Sequence, residues 1–277
     1  MLLTRHLLMV VCGVCVTHTP LASAFAPAAG LRHHIRPGRH RCSPPRMDVS
    51  GANADARVRA VTEAWVQEWV VGLRLCPWAT LTKGHSSKGM PYTRIVTLHG
   101  GEEQLDALAA TVVREASVMR QVAQKSGDSN SAFFTTLLVF PHASFAGHNG
   151  SETGNPKCGA FPTLVRQAQG LLIDDPDPQR MDLLAFHRRR VDEGPGTSPD
   201  FDDAAHFSVR SPYPTLQLLR EKDLVWARSQ WQQQQAQNGP TTTKNGPSAG
   251  PGALGLLMAN KQRLRGMGSA ALKRTMD

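Results

Sequence analysis

A short stretch of the chain, residues 202–221, holds the densest group of side chains that could do chemistry. It opens on two adjacent carboxylates, Asp202 and Asp203, and continues through a histidine to Arg210. The planar guanidinium of an arginine suits a carboxylate or a phosphate group. Arg210 is therefore a candidate anchor for an anionic substrate, with Asp202 and Asp203 as catalytic carboxylates that orient the substrate or coordinate a metal ion. The alternative is a structural clasp in which Arg210 pairs with one of the two carboxylates.

The residues that follow Arg210 predict the start of a helix. Ser211 suits the N-cap, and Pro212 suits the first helical position, where no amide hydrogen is needed. Leucines at short spacing extend the helical pattern as far as Trp226. Ser211 and Tyr213, which lie beside Arg210 in the chain, are further candidates for substrate binding.

His187 is the candidate general acid or base. It directly follows a predicted strand, and the sites of α/β folds gather at the C-terminal ends of parallel strands. His142 follows the preceding predicted strand in a similar way. Parallel strands would bring both histidines to one edge of the sheet, within reach of residues 202–210, where a carboxylate could hold His187 for proton transfer. The alternative is a loop histidine held in a structural hydrogen bond.

Cys76 is a candidate nucleophile or redox thiol at the end of the first predicted helix. The negative end of the helix dipole opposes thiolate formation there, and Arg74 supplies one compensating charge. The alternative is a buried structural cysteine.

Metal and nucleotide sites have weaker signals. Asp202 and His206 are four residues apart, which places them on one face of a helix, but no second histidine completes a motif such as H-E-x-x-H. The glycine-rich loop 142–159 lacks the Gly-Lys-Ser/Thr ending of a phosphate-binding loop, so a surface insertion is the simpler explanation. The metal requirement and the cofactors are therefore unknown from the sequence.

Hydrophobic periodicity predicts the elements that must position these residues. Apolar runs of strand length predict strands, and apolar spacings of three and four predict helices. In order, the chain predicts a helix at 57–75, a strand at 93–98, a helix at 102–125, a strand at 133–140, a helix at 161–172, a strand at 181–186 and the helix from 211. The α-β-α-β-α-β-α order predicts an α/β fold with helices packed on a small, at least partly parallel sheet. The continuous apolar run at 133–140 predicts a central strand buried on both faces.

The net charge of +9 is concentrated at the two ends of the chain. Residues 1–46 hold six arginines and no acidic residue, and residues 232–277 hold six basic residues and one aspartate. The part between them is mildly acidic, with a net charge of −2. A basic face is the usual mark of nucleic-acid binding, so the sequence predicts no nucleic-acid partner. A small-molecule ligand stays possible, and the oligomeric state is open.

The N-terminus has the features of a targeting segment. A single arginine precedes an apolar run at 7–16, which is too short to span a bilayer comfortably. Ala22-Ser23-Ala24 is a small-residue cleavage site followed by Phe25, and the residues after it are rich in Arg and His and free of acid. The Ala22–Pro27 pattern resembles the bipartite presequence of algae with secondary plastids. It predicts a signal peptide at 1–24, a transit peptide at 25–47 and a location in the plastid stroma.

The alternative to import into the plastid is secretion from the cell. Only Cys76 and Cys158 follow the presequence, which is too few for the disulfide framework that a secreted protein favours.

The rest of the chain divides into one domain and a tail. Residues 48–231 predict a single α/β domain, and no transmembrane run follows the presequence. Residues 232–277 begin with glutamines and continue with Asn, Gly, Pro, Thr and Ser, a composition that cannot bury enough apolar surface to fold. The sequence therefore predicts a disordered, solvated basic tail, in which residues 254–273 could form a short basic helix. The alternative is a segment that binds a membrane or a partner.

With these elements in place, the chain resembles a mostly bacterial family known only as a domain of unknown function (number fourteen-fifteen). The resemblance covers about residues 57–230 and is carried by Gly72 to Ala79, Tyr92 to Val96, Thr135 to Pro141, Phe186-His187 and, most specifically, Asp202 to Glu221. It departs from the family at Arg188 to Arg190, at His206, where asparagine is common, and in the glycine-rich loop 142–159. The resemblance supports the fold and the domain limits and implies no activity.

Two functions follow as hypotheses. The first is a soluble plastid enzyme that acts on a small anionic metabolite, with His187 as acid or base, Arg210 as anchor and Cys76 as a possible nucleophile. The second is a non-catalytic binding or assembly module in which Asp202, Asp203 and Arg210 form a structural clasp. The enzyme hypothesis requires these side chains to face a common cavity. The binding-module hypothesis requires Asp202 or Asp203 to pair with Arg210.

Overall fold

A computed structural model describes residues 52–76, 79, 93–125, 135–146, 159–177, 179–192, 194–238 and 253–276. The predicted presequence, most of the glycine-rich loop and residue Cys158 lie outside the described residues.

The described part of the chain contains one four-stranded sheet. Its strands are β1 (Thr93–Thr97), β2 (Thr135–Val139), β3 (Met181–Phe186) and β4 (Thr215–Arg220), in the spatial order β1-β2-β4-β3. β1 pairs with β2 in parallel, and β4 pairs antiparallel with both β2 and β3. The strands β1, β2 and β3 therefore all run in one direction, and their C-terminal ends share one edge of the sheet. The prediction of an α/β fold with a partly parallel sheet is confirmed.

One face of the sheet is covered by two amphipathic helices, α2 (Leu105–Lys125) and α4 (Ala160–Ile173). A short helix, α3 (Ala143–Ala146), follows β2. Side chains such as Val112 and Leu164 pack on alternate residues of the strands, among them Leu138 and Leu216. This face buries its apolar surface in one continuous cluster, which stabilises the packing of the helices on the sheet.

The opposite face is covered by the N-terminal and C-terminal parts of the domain. Helix α1 (Ala52–Ala64) continues into a π-helical segment (Trp65–Val71), and a 3₁₀ helix (Ala204–Val209) precedes β4. The described residues after β4 form three helices: α5 (Glu221–Asn238), α6 (Ala253–Met267) and α7 (Ser269–Met276). Among the described helices, none is long and apolar enough to cross a membrane.

The predicted strands and helices from residue 93 to β3 are confirmed within two residues where they are described, and β2 is buried at every position, as a central strand should be. The first helix, predicted at 57–75, begins earlier, at Ala52, and ends earlier, with the π-helical segment at Val71. The predicted helix from Ser211 is wrong, because residues 215–220 form strand β4 in the middle of the sheet. Ser211 caps no helix, since its hydroxyl donates to the Tyr213 carbonyl at 2.5 Å. The alternation in β4 explains the error: Leu216 and Leu218 fill one face, Leu219 fills the other, and both faces are buried.

The expectation of a disordered tail is also wrong for residues 253–276. Helix α6 packs against the 3₁₀ helix, and its side chains Leu257 and Leu264 are 2% and 0% exposed. Leu272 of α7 is 0% exposed as well. The C-terminal helices are therefore part of the folded domain, and their basic side chains reach the stretch that carries the candidate site residues.

Candidate functional site

The parallel strands bring the two strand-end histidines to one edge of the sheet. His142 follows β2 and His187 follows β3, at the edge where the strand carboxyl ends meet. The backbone amide of His187 donates to the carbonyl of Val209 at 3.3 Å, so residues 204–210 lie beside the end of β3. Residues 204–210 therefore lie next to His187, and the role of each side chain depends on its own contacts.

Both ring nitrogens of His187 contact the backbone. Nε2 lies 2.9 Å from the carbonyl oxygen of Phe145, and Nδ1 accepts from the amide of Arg189 at 3.1 Å. The ring stacks on Phe161 with a centroid separation of 5.7 Å and is 9% exposed. This network fixes one neutral tautomer, with hydrogen on Nε2. His187 thus has the contacts of a structural histidine that ties α3 to the end of β3.

The guanidinium of Arg210 lies between two aromatic rings. Its central carbon is 4.5 Å from the ring centroids of both Phe201 and Phe207, and the side chain is buried. It donates to the carbonyls of Phe201 at 2.7 Å and Arg190 at 3.3 Å. Burial lowers the pKa of Arg210 from its ordinary value, and the charge of Asp202 partly offsets this effect. Through these contacts Arg210 stabilises the loop that precedes β4.

Asp203 organises the 3₁₀ helix and one cation of the C-terminal segment. Its carboxylate accepts from the amides of Ala205 at 2.9 Å and Ser198 at 3.1 Å. The guanidinium of Arg265 adds a bidentate pair at 2.9 and 2.5 Å. Charge-assisted pairs of this fork type are the stronger class of hydrogen bond. They hold the pKa of Asp203 far below its ordinary range, with the bond to Arg265 as the largest cause.

Asp202 pairs with the last described helix. The ammonium of Lys273 lies 2.6 Å from its Oδ1, and this bond lowers the pKa of the exposed Asp202 carboxyl. Neither carboxylate forms the expected hydrogen bond with Arg210; each binds a cation of α6 or α7 instead. The clasp at this motif therefore joins the domain to its C-terminal helices.

A buried polar network lies beneath α6, and sequence reasoning missed it. The Lys261 ammonium lies 2.9 Å from Oδ2 of Asp192, and both side chains are almost fully buried. The backbone amide of Asp192 donates to Nδ1 of His206 at 3.0 Å, while Nε2 of His206 lies 2.8 Å from the carbonyl oxygen of Asp200. His206 is therefore a structural partner of Asp192, with both ring nitrogens engaged. Only the position of Lys261 between Leu257 and Leu264, on one helical face, could have suggested its burial.

Helix α6 also satisfies backbone groups that the π-helical segment leaves at its end. Asn260 donates to the carbonyl of Leu75 and Arg263 donates to that of Leu73, each at 2.6 Å. Both carbonyls belong to the turn that follows the π-helical segment, and buried backbone carbonyls need such partners. A second close contact joins Met258 to Gly196, whose φ is +73°: a Cβ at Gly196 would lie 2.6 Å from the Met258 side chain. These contacts show that side chains of α6 pack directly against the backbone of the rest of the domain.

The remaining candidates lie in other surroundings. Cys76 is partly buried and packs with the apolar cluster beneath α1. Ser211 is buried, and Tyr213 is partly buried against the same cluster. Within the described ranges, no three His, Cys, Asp or Glu side chains lie close enough together to hold a metal ion.

We call the surface beneath α6 and α7 the acidic face and define it by Asp192, Asp202 and Asp203. Each of these carboxylates binds a cation from the C-terminal helices: Lys261, Lys273 and Arg265, respectively. The fold and this surface define the protein as an α/β domain with an acidic face that receives a basic helical segment. The contacts of His187 and Arg210 are with backbone groups and aromatic rings. The clasp predicted between Arg210 and the two carboxylates is replaced by pairs between those carboxylates and cations of α6 and α7.

The chain belongs to the family described as a protein of unknown function, DUF1415, whose model matches residues 57–247. The match includes the whole acidic face and ends before α6 begins. No curated protein and no solved structure matches the chain.

Proposed function

We propose that this domain is a non-catalytic binding module whose acidic face receives a basic, amphipathic helix. In this chain the ligand position is filled by its own helices α6 and α7. The observation that carries the proposal is the pairing of three carboxylates in residues 192–203 with three cations from a segment that lies outside the family match.

The contacts have the composition of a recognition surface. A central apolar stripe and a buried ion pair lie beneath α6, and exposed pairs such as Lys273–Asp202 lie at the edge. Interfaces that take an amphipathic helix use anchors on one helical face, which here are Leu257, Lys261 and Leu264. The rim pairs contribute less free energy than the buried contacts but set which partner is accepted.

The enzymatic alternative has less support from these contacts. An anion anchor needs donors directed at the ligand, whereas Arg210 donates to two backbone carbonyls and stacks on two rings. A general base needs a nitrogen within reach of the substrate proton, whereas both nitrogens of His187 contact backbone groups.

The proposal is tested by supplying the helix in trans. The probe is a fluorescein-labelled peptide of residues 253–276, and the receptor is the full-length chain with Lys261, Arg263 and Arg265 changed to alanine, which weakens docking of its own tail. We expect this variant to bind the peptide at least tenfold more tightly than the unmodified chain does, because a tethered tail competes at high effective concentration. Circular dichroism and thermal melting establish that the variant is folded.

Matched controls separate recognition from general charge attraction. Adding Asp192→Asn to the receptor should abolish peptide binding, whereas Arg274→Ala in the peptide should leave it unchanged, since Arg274 is exposed on α7. If the triple-alanine receptor is folded but does not bind the peptide, the proposed binding function is wrong. Equal binding of a peptide with Lys261 and Arg265 both changed to glutamate would do the same.

We further propose, from the Ala22–Pro27 pattern, that the protein works in the stroma of a secondary plastid. The test is a fusion of residues 1–47 to a fluorescent protein in an alga with such plastids. The fusion should accumulate in the plastid, and the Phe25→Ala fusion should remain outside it. Secretion of the unmodified fusion would contradict the proposal.

A further inference from the structure

The ammonium of Lys261 occupies a closed pocket in the acidic face. Its Nζ lies 2.9 Å from Oδ2 of Asp192 and 2.7 Å from the carbonyl oxygen of Pro195, and the Lys261 side chain is 0% exposed. The pocket thus offers one full negative charge and one carbonyl dipole to a group that is cut off from water. Lysine is almost never fully buried unless it is paired in this way.

The pocket is built by residues 192–206, which lie outside α6. Oδ1 of Asp192 accepts from the amide of Gly194 at 2.9 Å, and the Asp192 amide is held by His206. Both contacts come from residues 192–206, so the carboxylate is oriented independently of the helix that fills the pocket. A carboxylate fixed in this manner is pre-organised for a cation, which lowers the free-energy cost of binding.

The acceptors of the pocket favour a cation with few donors. Two acceptors contact the buried ammonium of Lys261, namely Oδ2 of Asp192 and the carbonyl oxygen of Pro195. An ammonium is a compact point charge with three donors, whereas a guanidinium is a wider planar fork with five. A buried guanidinium would leave more of its donors without an acceptor, which costs free energy.

We propose that Asp192, Gly194 and the Pro195 carbonyl form a site selective for a primary ammonium, so that a helix recognised by the acidic face carries a lysine at this position. The accepted segment has leucines four residues before and three residues after the lysine, as Leu257 and Leu264 flank Lys261. The peptide part of this inference rests on the proposed binding function. The ammonium site itself can be measured within one chain.

The test within one chain is chemical rescue. Lys261→Ala in the full-length protein removes three carbons and the nitrogen, the same number of heavy atoms that n-propylammonium contains. The thermal melting temperature is measured with added n-propylammonium chloride. We expect the variant to melt several degrees lower than the unmodified chain. At a concentration that gives no shift with sodium chloride, n-propylammonium should restore at least half of the loss.

The controls decide between selectivity and general salt effects. Guanidinium and tetramethylammonium chloride should restore nothing, and n-propylammonium should not restore Lys261→Ala/Asp192→Asn. Lys261→Arg should melt as low as Lys261→Ala. Equal rescue by all cations, or a fully stable Lys261→Arg chain, would overturn the ammonium site.

The peptide assay distinguishes this inference from the binding function. The Lys261→Arg peptide should bind at least tenfold more weakly than the unmodified peptide, and Arg265→Lys should change binding less than threefold, because Arg265 is 40% exposed at the rim. Tight binding of the Lys261→Arg peptide would refute the lysine requirement while the binding function stands. Loss of all peptide binding together with intact amine rescue would refute the binding function alone.

Discussion

Arg210 illustrates how a charged residue can be assigned the wrong partner from sequence. Opposite charges close in the chain predict a pair between Arg210 and Asp202 or Asp203. In the fold, Phe201 and Phe207 cover both faces of the guanidinium, and its hydrogens go to backbone carbonyls. Stacking on rings and hydrogen bonds to carbonyls both depend on the planar shape of the guanidinium. A prediction based on charge alone does not take that shape into account.

Arg210→Lys is expected to destabilise the domain by about 2–3 kcal/mol, because lysine keeps the charge but loses the stacking and the fork of donors. Chemical denaturation in urea measures the change. Arg189→Lys is the matched control, since Arg189 lies 5.7 Å from the Phe201 ring at an exposed position, and we expect a cost below about 0.5 kcal/mol. If Arg210→Lys changed the free energy of unfolding as little as the control does, the stacking of Arg210 between Phe201 and Phe207 would contribute nothing to stability.

At the level of elements, strand β4 decides the topology. Ser211, Pro212 and Pro214 match a helix start, and the leucines that follow fit both a helical stripe and a two-sided strand. A central strand has both faces buried and loses the alternation that identifies an edge or half-exposed strand. β2 was recognisable because its apolar run is bounded by a polar loop and a proline, whereas the run in β4 leads directly into α5.

Leu218→Ala should cost about 2–5 kcal/mol, as expected for a large-to-small change at a fully buried position. Leu218 is 0% exposed between β2 and β3. Val225→Ala on α5 is the control at a 55% exposed position, where we expect less than about 0.5 kcal/mol. Equal effects of the two substitutions in a urea titration would contradict the central placement of β4.

The junction between the acidic face and α6 should respond to acid. Arg265 holds the pKa of Asp203 well below its ordinary value of 3.8. A carboxylate with a depressed pKa adds stability that is complete above the unfolded pKa and is lost as the pH falls through the folded pKa. The contribution is therefore whole at neutral pH and declines as the pH falls below about 4.

The measurement is the difference in free energy of unfolding between the unmodified chain and Arg265→Gln. We expect about 1 kcal/mol at pH 7 for this partly exposed pair, shrinking steadily between about pH 4 and pH 2. The same difference for Arg274→Gln should stay near zero throughout, because Arg274 is an exposed residue on α7. A difference for Arg265→Gln that grows on acidification would show that Asp203 is not its partner.

At the level of the whole molecule, the distribution of charge found in the sequence has a structural counterpart. The acidic middle of the chain and its basic end meet at the acidic face, where Lys261, Arg265 and Lys273 bind the three carboxylates. The sequence located the basic end but predicted it to be solvated, because the Gln, Gly and Pro content at 232–252 has the composition of a disordered segment. Asp192 and Lys261 are far apart in the chain, and nothing local in either segment indicates the other. Fold class and most elements were therefore predictable, whereas this tertiary pairing was not.

Removing the C-terminal helices tests how far the domain depends on them. A chain ending at Asn238 loses the buried pair of Lys261 with Asp192 and the buried side chains Leu257 and Leu264. Because burial of one leucine contributes about 1.5–3 kcal/mol, we expect the free energy of unfolding to fall by at least about 3 kcal/mol. Asp192→Asn should then have different effects in the two chains. It destabilises the full-length protein by breaking the buried pair, whereas it leaves the shortened chain nearly unchanged, because removal of α6 exposes the Asp192 carboxylate to water. An equal effect in both chains would mean that Lys261 does not neutralise Asp192, and the acidic face would lose its central contact.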